Sequence, residues 1–203
     1  TSWIVEGKVY TIAGFSNQWK SKVAYDHASY FIKQGKKVLF INLEVSDYFC
    51  LWNIIASTEW VPFQEAMSTF EPSEKLYKKL MIRDDIDNLD GICDQIRSAQ
   101  CDIVFVDFVQ NIEAWWSDYE KHSKIARTMQ RIAIETNVTL FCLSQLPNSA
   151  LQALRTKDFD MITPKWAGEY FASSDVIIFI HQEEMINGER KLIFTIWKNK
   201  FWQ

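Results

Sequence analysis

The chain has 203 residues, 48% hydrophobic and 24% charged, with a formal net charge of −4 and a pI near 5.4; that supports one sizeable core and excludes a broad basic surface coating nucleic acid, though not a narrow basic channel. No apolar run approaches the roughly 18 residues of a membrane span, and no signal-peptide pattern opens the chain. The four cysteines (Cys50, Cys93, Cys101, Cys142) lack CxxC or zinc-type spacing, so the expectation is a reduced, cytoplasmic protein with no membrane association.

In chain order, residues 9–13 (VYTIA) predict a strand and a helix begins near Lys20, carrying Ala24, Ala28 and Phe31. Residues 37–43 (KVLFINL) form a short, nearly continuous apolar run, the pattern of a strand buried on both faces. A helix follows over 46–57. Residues 59–79 read as less regular, punctuated by Pro62 and Pro72, before a short strand at 80–83. Residues 88–100 predict an amphipathic helix with Ile92, Ile96 and Ala99 on one side, and 102–108 (DIVFVDF) another buried strand. Ile125, Met129, Ile132 and Ala133 fall at helical spacing within 120–137, and 138–143 is the next strand. A polar stretch from 144 to 174 precedes two strands, 175–181 and 191–197, joined around Asn187-Gly188, a favoured turn pair. This order predicts a mostly parallel sheet flanked by helices and ending in antiparallel strands. Residues 1–203 read as a single domain. Thr1 is not Met and the last strand-like run stops at Gln203, as in a fragment of a longer chain.

The strongest motif lies between the first strand and its helix. Gly14, Phe15, Ser16, Asn17, Gln18, Trp19, Lys20 and Ser21 follow the phosphate-binding loop pattern Gly-x4-Gly-Lys-Ser/Thr, with Trp19 in place of the second glycine. Such a loop turns backbone N–H groups and a helix N-terminus toward phosphate oxygens. Lys20 is placed to reach the outer phosphates and Ser21 to hold Mg²⁺. A glycine before the lysine keeps side chains out of the way; the Trp19 ring either swings outward or narrows phosphate access. The alternative is an ordinary strand–turn–helix with a chance Lys-Ser.

Four other features fall at predicted strand ends, where ligands bind in open α/β sheets. Asp107 ends VFVD and is a candidate Mg²⁺ carboxylate. Glu44 ends KVLFINL and is a candidate base for an attacking water. Ser144-Gln145 follows VTLFCL, where Gln145 is placed to sense a γ-phosphate. Lys198-Asn199-Lys200 closes the last strand, offering cations to a neighbouring subunit's nucleotide. Taken singly, each also reads as a solvated strand end or plain turn; their joint order carries the argument.

The chain resembles the RecA-like motor domain of DnaB-type replicative helicases. The matching stretches are IAGFSNQWKS (12–21), INLEVS (41–46), VFVDFVQ (104–110), IETNVTLFCLSQL (134–146), ASSDVIIF (172–179) and WKNK (197–200). The resemblance implies a RecA-like P-loop NTPase fold. It also implies a homo-oligomeric ring, a hexamer, that hydrolyses ATP with Mg²⁺ between subunits and moves along single-stranded DNA, with a primase or loader as further partner and a phage or plasmid as a fitting source. Lys20 and Ser21 take the phosphate and magnesium roles, Asp107 the Walker B role, Glu44 the catalytic-base role and Gln145 the sensor role, while Lys198 and Lys200 act in trans. DNA passes the loops after Asp107 and Gln145, with Lys121, Lys124, Arg155, Lys157 and Lys165 as candidate contacts. Three departures stand out: Trp19; Lys200 where the family usually has arginine, without its bidentate fork; and Phe-Trp-Gln in place of the usual continuation. A catalytically silent RecA-like domain that binds single-stranded DNA or acts as a scaffold, and a filament-forming recombination or annealing ATPase, are the alternatives.

Overall fold

The structure is a computed structural model that describes residues 4–17, 19–113, 118–146, 172–184 and 190–201. In chain order its elements are β1 (Val9–Gly14), α1 (Lys20–Lys33), β2 (Val38–Asn42), α2 (Asp47–Glu59), α3 (Phe63–Thr69), α4 (Glu74–Tyr77), β3 (Leu80–Arg83), α5 (Leu89–Ala99), β4 (Ile103–Asp107), a 3-10 turn (Val109–Asn111), α6 (Asp118–Thr136), β5 (Thr139–Gln145), β6 (Val176–Glu184) and β7 (Arg190–Asn199). They build one seven-stranded sheet in the order β3-β2-β4-β5-β1-β6-β7. Six strands run parallel and β7 pairs antiparallel with β6.

The continuous apolar runs are explained by burial on both faces: every residue of β1, β2 and β4 is buried. On one face, Val38, Phe40, Ile103 and Phe105 pack with Val23, Ala24, Ala28 and Phe31 of α1. On the other, Leu39, Ile41, Val104 and Val106 pack with Ile92 and Ile96 of α5 and Ile125, Met129 and Ile132 of α6. Under α1 the rings of Phe40, Phe105, Phe141 and Tyr10 form a ladder across four neighbouring strands, with centroids 5.3, 4.8 and 5.1 Å apart. These rings sit at register partners, and each such pair adds about 0.5–1.5 kcal/mol beyond its buried area. A one-residue slip would break the ladder, so it helps fix the register that aligns the strand tips.

Three sequence expectations change. Residues 59–79 hold two short helices: Pro62 is the N-cap of α3, and Pro72 precedes Ser73, whose hydroxyl accepts from the Leu76 N–H at 3.2 Å. Both prolines mark helix starts, where a missing N–H costs nothing. Ser144 and Gln145 do not follow β5 as a turn; they are its last two residues, paired with Ala13 and Gly14. β2 stops at Asn42, so Glu44 lies two residues beyond the strand. The hairpin pairing is as expected, whereas its turn at Asn187-Gly188 lies outside the described residues.

Candidate functional site

Parallel pairing brings the C-terminal ends of β1, β2, β4 and β5 to one edge of the sheet. A cavity of about 340 Å³ opens there, lined among others by Ser16, Trp19, Lys20, Ser21, Glu44 and Gln145. The loop between β1 and α1 is closely fitted. A Cβ on Gly14 would come within 2.7 Å of the Ile180 carbonyl oxygen and 3.2 Å of Lys20 Cγ, so only glycine fits. Phe15 is buried, anchoring the loop. Ser16 and Asn17 are exposed and form a turn, with Asn17 left-handed at φ 57. Gln18 lies outside the described residues.

Trp19 takes the left-handed conformation, φ 64 and ψ 14, as N-cap of α1. That region costs a non-glycine residue about 1–2 kcal/mol, which explains why the motif calls for glycine here. The backbone has kept the glycine geometry. The ring is 55% exposed and is part of the cavity lining.

Lys20 is buried at 8% exposure, and its ammonium donates to the Phe15 carbonyl at 2.7 Å. Burial lowers its pKa, opposed by the charges of Asp107 and Glu44. Asp107 is 1% exposed. Burial pushes its carboxyl up to about 6, against a hydrogen bond from the Ser21 hydroxyl; the Glu44 charge raises it further and Lys20 lowers it. Its Oδ1 has no hydrogen-bond partner. A buried carboxylate oxygen facing a hydroxyl and a lysine, with one lone-pair side unsatisfied, is a donor set that suits a divalent cation and its waters. Mg²⁺ is commonly held by one or two carboxylates plus substrate phosphates, and the residues present fit it. Among the described residues, no group of three or more His, Cys, Asp or Glu forms a metal cage.

Glu44 is exposed at the cavity, and its backbone N–H donates to Asn42 Oδ1 at 3.3 Å. Gln145 is held through its main chain by a residue that the sequence reading gave no role. Gln110 Oε1 accepts from the Gln145 N–H at 3.2 Å, and Gln110 Nε2 donates to the Gln145 carbonyl at 3.1 Å and the Ser144 hydroxyl at 2.8 Å. The signal was the Gln110 that closes VFVDFVQ: a polar side chain one turn beyond the strand carrying Asp107.

The proposed DNA contacts divide. Lys121 is half-buried and donates to the Gln110 carbonyl at 3.2 Å, bracing the 3-10 turn. Lys124 is exposed on α6. Arg155, Lys157 and Lys165 lie outside the described residues.

Lys198 and Lys200 are not brought to this cavity. β7 runs antiparallel, so Asn199 pairs with Val176, which in turn pairs with Tyr10 near the start of β1. The lysine pair therefore sits at the opposite edge, about 13 Å along β1 from Gly14 by strand rise. Lys200 forms an ion pair with the buried Asp175 at 3.1 Å, and Lys198 donates to the Ala172 carbonyl at 3.2 Å. Partial burial and the Lys200 charge lower the Lys198 pKa.

The full length of this architecture is accounted for by one known family: residues 1–200 match the DnaB-like helicase C terminal domain. The chain belongs to that family. Curated relatives of this DnaB-like domain include a probable plasmid replicative DNA helicase of Chlamydia trachomatis, 24% identical over 97% of this chain and 47% of the relative. Another, of Chlamydia muridarum, is 26% identical over 89% of this chain and 44% of the relative. The chain thus spans less than half the length of these relatives. Among solved structures, one described as an ATPase domain superposes with a TM-score of 0.75 at 19% identity, covering 97% of this chain and 78% of that one. A DnaB-like replicative helicase described with its interactions with primase gives 0.76 at 20% identity, covering 97% and 53%. These likenesses establish the RecA-like fold. No helix among the described residues is long and apolar enough to cross a membrane.

Proposed function

We propose that this DnaB-like domain is an ATP-hydrolysing motor that translocates on single-stranded DNA as part of a replicative helicase ring, a hexamer. The observation that carries the reading is the convergence of loop, lysine, hydroxyl, Glu44 and a glutamine on one cavity at one sheet edge, with Asp107 buried next to Ser21 and Lys20. Magnesium bound with the nucleotide would supply charge neutralisation on the transferred phosphate. Ser21 and Asp107 are the residues to hold it. Lys20 exchanges its internal acceptor, the Phe15 carbonyl, for phosphate oxygens when nucleotide arrives. Glu44 orients a water and takes its proton. Gln145, its backbone clamped by Gln110, reports phosphate occupancy to the chain that follows β5. Lys198 and Lys200 serve the neighbouring subunit's nucleotide, which requires Lys200 to leave Asp175 on assembly. The relatives named as plasmid replicative helicases support replication of a plasmid or phage genome, and the neighbour described with primase supports a primase or loader as partner.

The test is ATP turnover by the purified chain with Mg²⁺, with and without single-stranded DNA. DNA-stimulated turnover that disappears in Lys20→Ala is the expected result; turnover unchanged in Lys20→Ala would remove Lys20 from its role. One observation favours a second reading, a catalytically silent RecA-like domain: the Trp19 ring in the cavity lining. DNA binding without any nucleotide binding would decide for it.

A further inference from the structure

Asn42 is an unusual last residue for a parallel strand. It is 1% exposed, and asparagine is depleted from strands because its amide competes for hydrogen bonds. Its Oδ1 accepts from the backbone N–H groups of both Glu44 and Val45 at 3.3 Å. Those two donors fix the amide's orientation, since flipping it would set an NH₂ against two N–H groups. Nδ2 is thereby turned away from the Glu44 turn, and it has no hydrogen-bond partner. The register partner of Asn42 across β2 and β4 is Asp107. Register partners in a parallel pair project to the same face, here the α1 face that carries Ser21. Asp107 Oδ1 is likewise without a partner. A buried donor and a buried acceptor thus lie side by side on strands about 4.8 Å apart, not bonded to each other.

We propose that Asn42 is a positioning residue of the nucleotide site: its Oδ1 holds the main chain of Glu44, while its Nδ2 is the donor that steadies the neighbouring Asp107 carboxylate when magnesium is bound. The chemistry is complementary. An N–H cannot ligate a cation, but it donates to one oxygen of a carboxylate whose other oxygen serves the metal or its waters. The same amide thus ties the acid that anchors the metal to the turn that carries the base, and it sets their spacing through strand register rather than through loops. Outer partners of this kind govern metal affinity as well as rate. The inference rests on the ATPase reading above.

The deciding experiment titrates Mg²⁺ against binding of a fluorescent ATP analogue, for the wild-type chain, Asn42→Leu and Asn42→Ser. Leu keeps the volume but removes both the acceptor and the donor; Ser is too short to reach both sides. The expected result is unchanged analogue affinity in EDTA, with the Mg²⁺ midpoint moved about ten- to a hundredfold higher in each variant. A role confined to folding would lower the melting temperature without moving that midpoint. Variants that titrate like the wild type overturn the role of Asn42 alone. A wild-type chain whose analogue binding is indifferent to Mg²⁺ overturns the ATPase reading itself. Should Asn42→Leu fail to fold, Asn42→Ser carries the same comparison.

Discussion

Two buried aspartates lie at strand ends on opposite edges of the same sheet, and they are built differently. Asp175, at the entry to β6, has both oxygens engaged: Oδ2 accepts the Val9 N–H at 3.0 Å and Oδ1 pairs with Lys200 at 3.1 Å. Beside it the Thr11 and Ser174 hydroxyls share a hydrogen bond of 2.6 Å. This edge ties the first strand to the last two and leaves its carboxylate satisfied. Asp107, at the exit of β4, keeps one oxygen unpaired and carries a carboxyl raised to about 6 by its burial. An unsatisfied buried carboxylate costs stability. An open oxygen beside the cavity is what the proposed magnesium site requires, whereas the pair at the other edge is already satisfied within the chain.

Exchanging each carboxylate for its amide puts that difference to the test. The largest effect expected is on turnover: Asp107→Asn should reduce ATP hydrolysis at least about a hundredfold, because metal-held charge stabilisation is worth several kcal/mol. Asp175→Asn should leave nucleotide binding at the far edge intact. The stabilities should move in opposite directions. Asp107→Asn should raise unfolding stability at neutral pH by about 1–3 kcal/mol, since it removes a desolvated charge. Asp175→Asn should lower it by about 1–2 kcal/mol, a modest figure because the Lys200 partner is partly exposed and screened. Equal shifts in chemical denaturation would show that the two edges are not distinct in this way.

The pH dependence sharpens the same contrast. The Asp107 carboxyl sits near 6 in the folded chain against an ordinary 3.8, so the folded state holds more protons across that interval. Stability therefore falls as pH rises from 4 to 6, by about 3 kcal/mol from this one group. Other carboxylates titrate in the same range, so the quantity to measure is the difference between wild type and Asp107→Asn, without nucleotide or magnesium. That difference should grow from pH 4 to pH 6 and then stay level; a difference constant over the range would remove burial of the charge as its cause.

The two edges were also unequally legible in the sequence. Local patterns sufficed for the parallel strands and for a loop whose members are adjacent in the chain, and Glu44 and Asp107 could be placed because they end apolar runs. The lysine pair could not be placed in this way. Lys198 and Lys200 also end a strand, but β7 is antiparallel, and the C-terminal end of an antiparallel strand lies at the wrong edge for this chain's own cavity. Gln110 and Asn42 escaped for another reason. Gln110 is visible as a polar residue one turn past a strand, but its partners 34 and 35 residues away, and the placing of Asn42 beside Asp107, are set by a 3-10 turn and by register that the local sequence does not specify. The short helices of 63–77 were hidden because proline marks both breaks and helix starts.

The smallest expected effect concerns the residue that departs from the loop pattern. Trp19 holds a left-handed backbone and a half-exposed ring, and its carbonyl accepts the Val23 N–H at 2.9 Å as the first bond of α1. Trp19→Gly keeps that carbonyl and removes both the steric strain and the ring. Glycine gives back part of the gain through the freedom of the unfolded chain, and little buried area is lost from a side chain already facing solvent. The net should be a stabilisation of about 1 kcal/mol, since the left-handed strain exceeds the entropic loss by roughly that margin. Nucleotide affinity then separates two roles for the ring. Tighter binding in Trp19→Gly means that the indole obstructs the cavity mouth. Equal or weaker binding means that the ring is accommodated or packs on the nucleotide; only weaker binding would give the strain at Trp19 a use to the ligand.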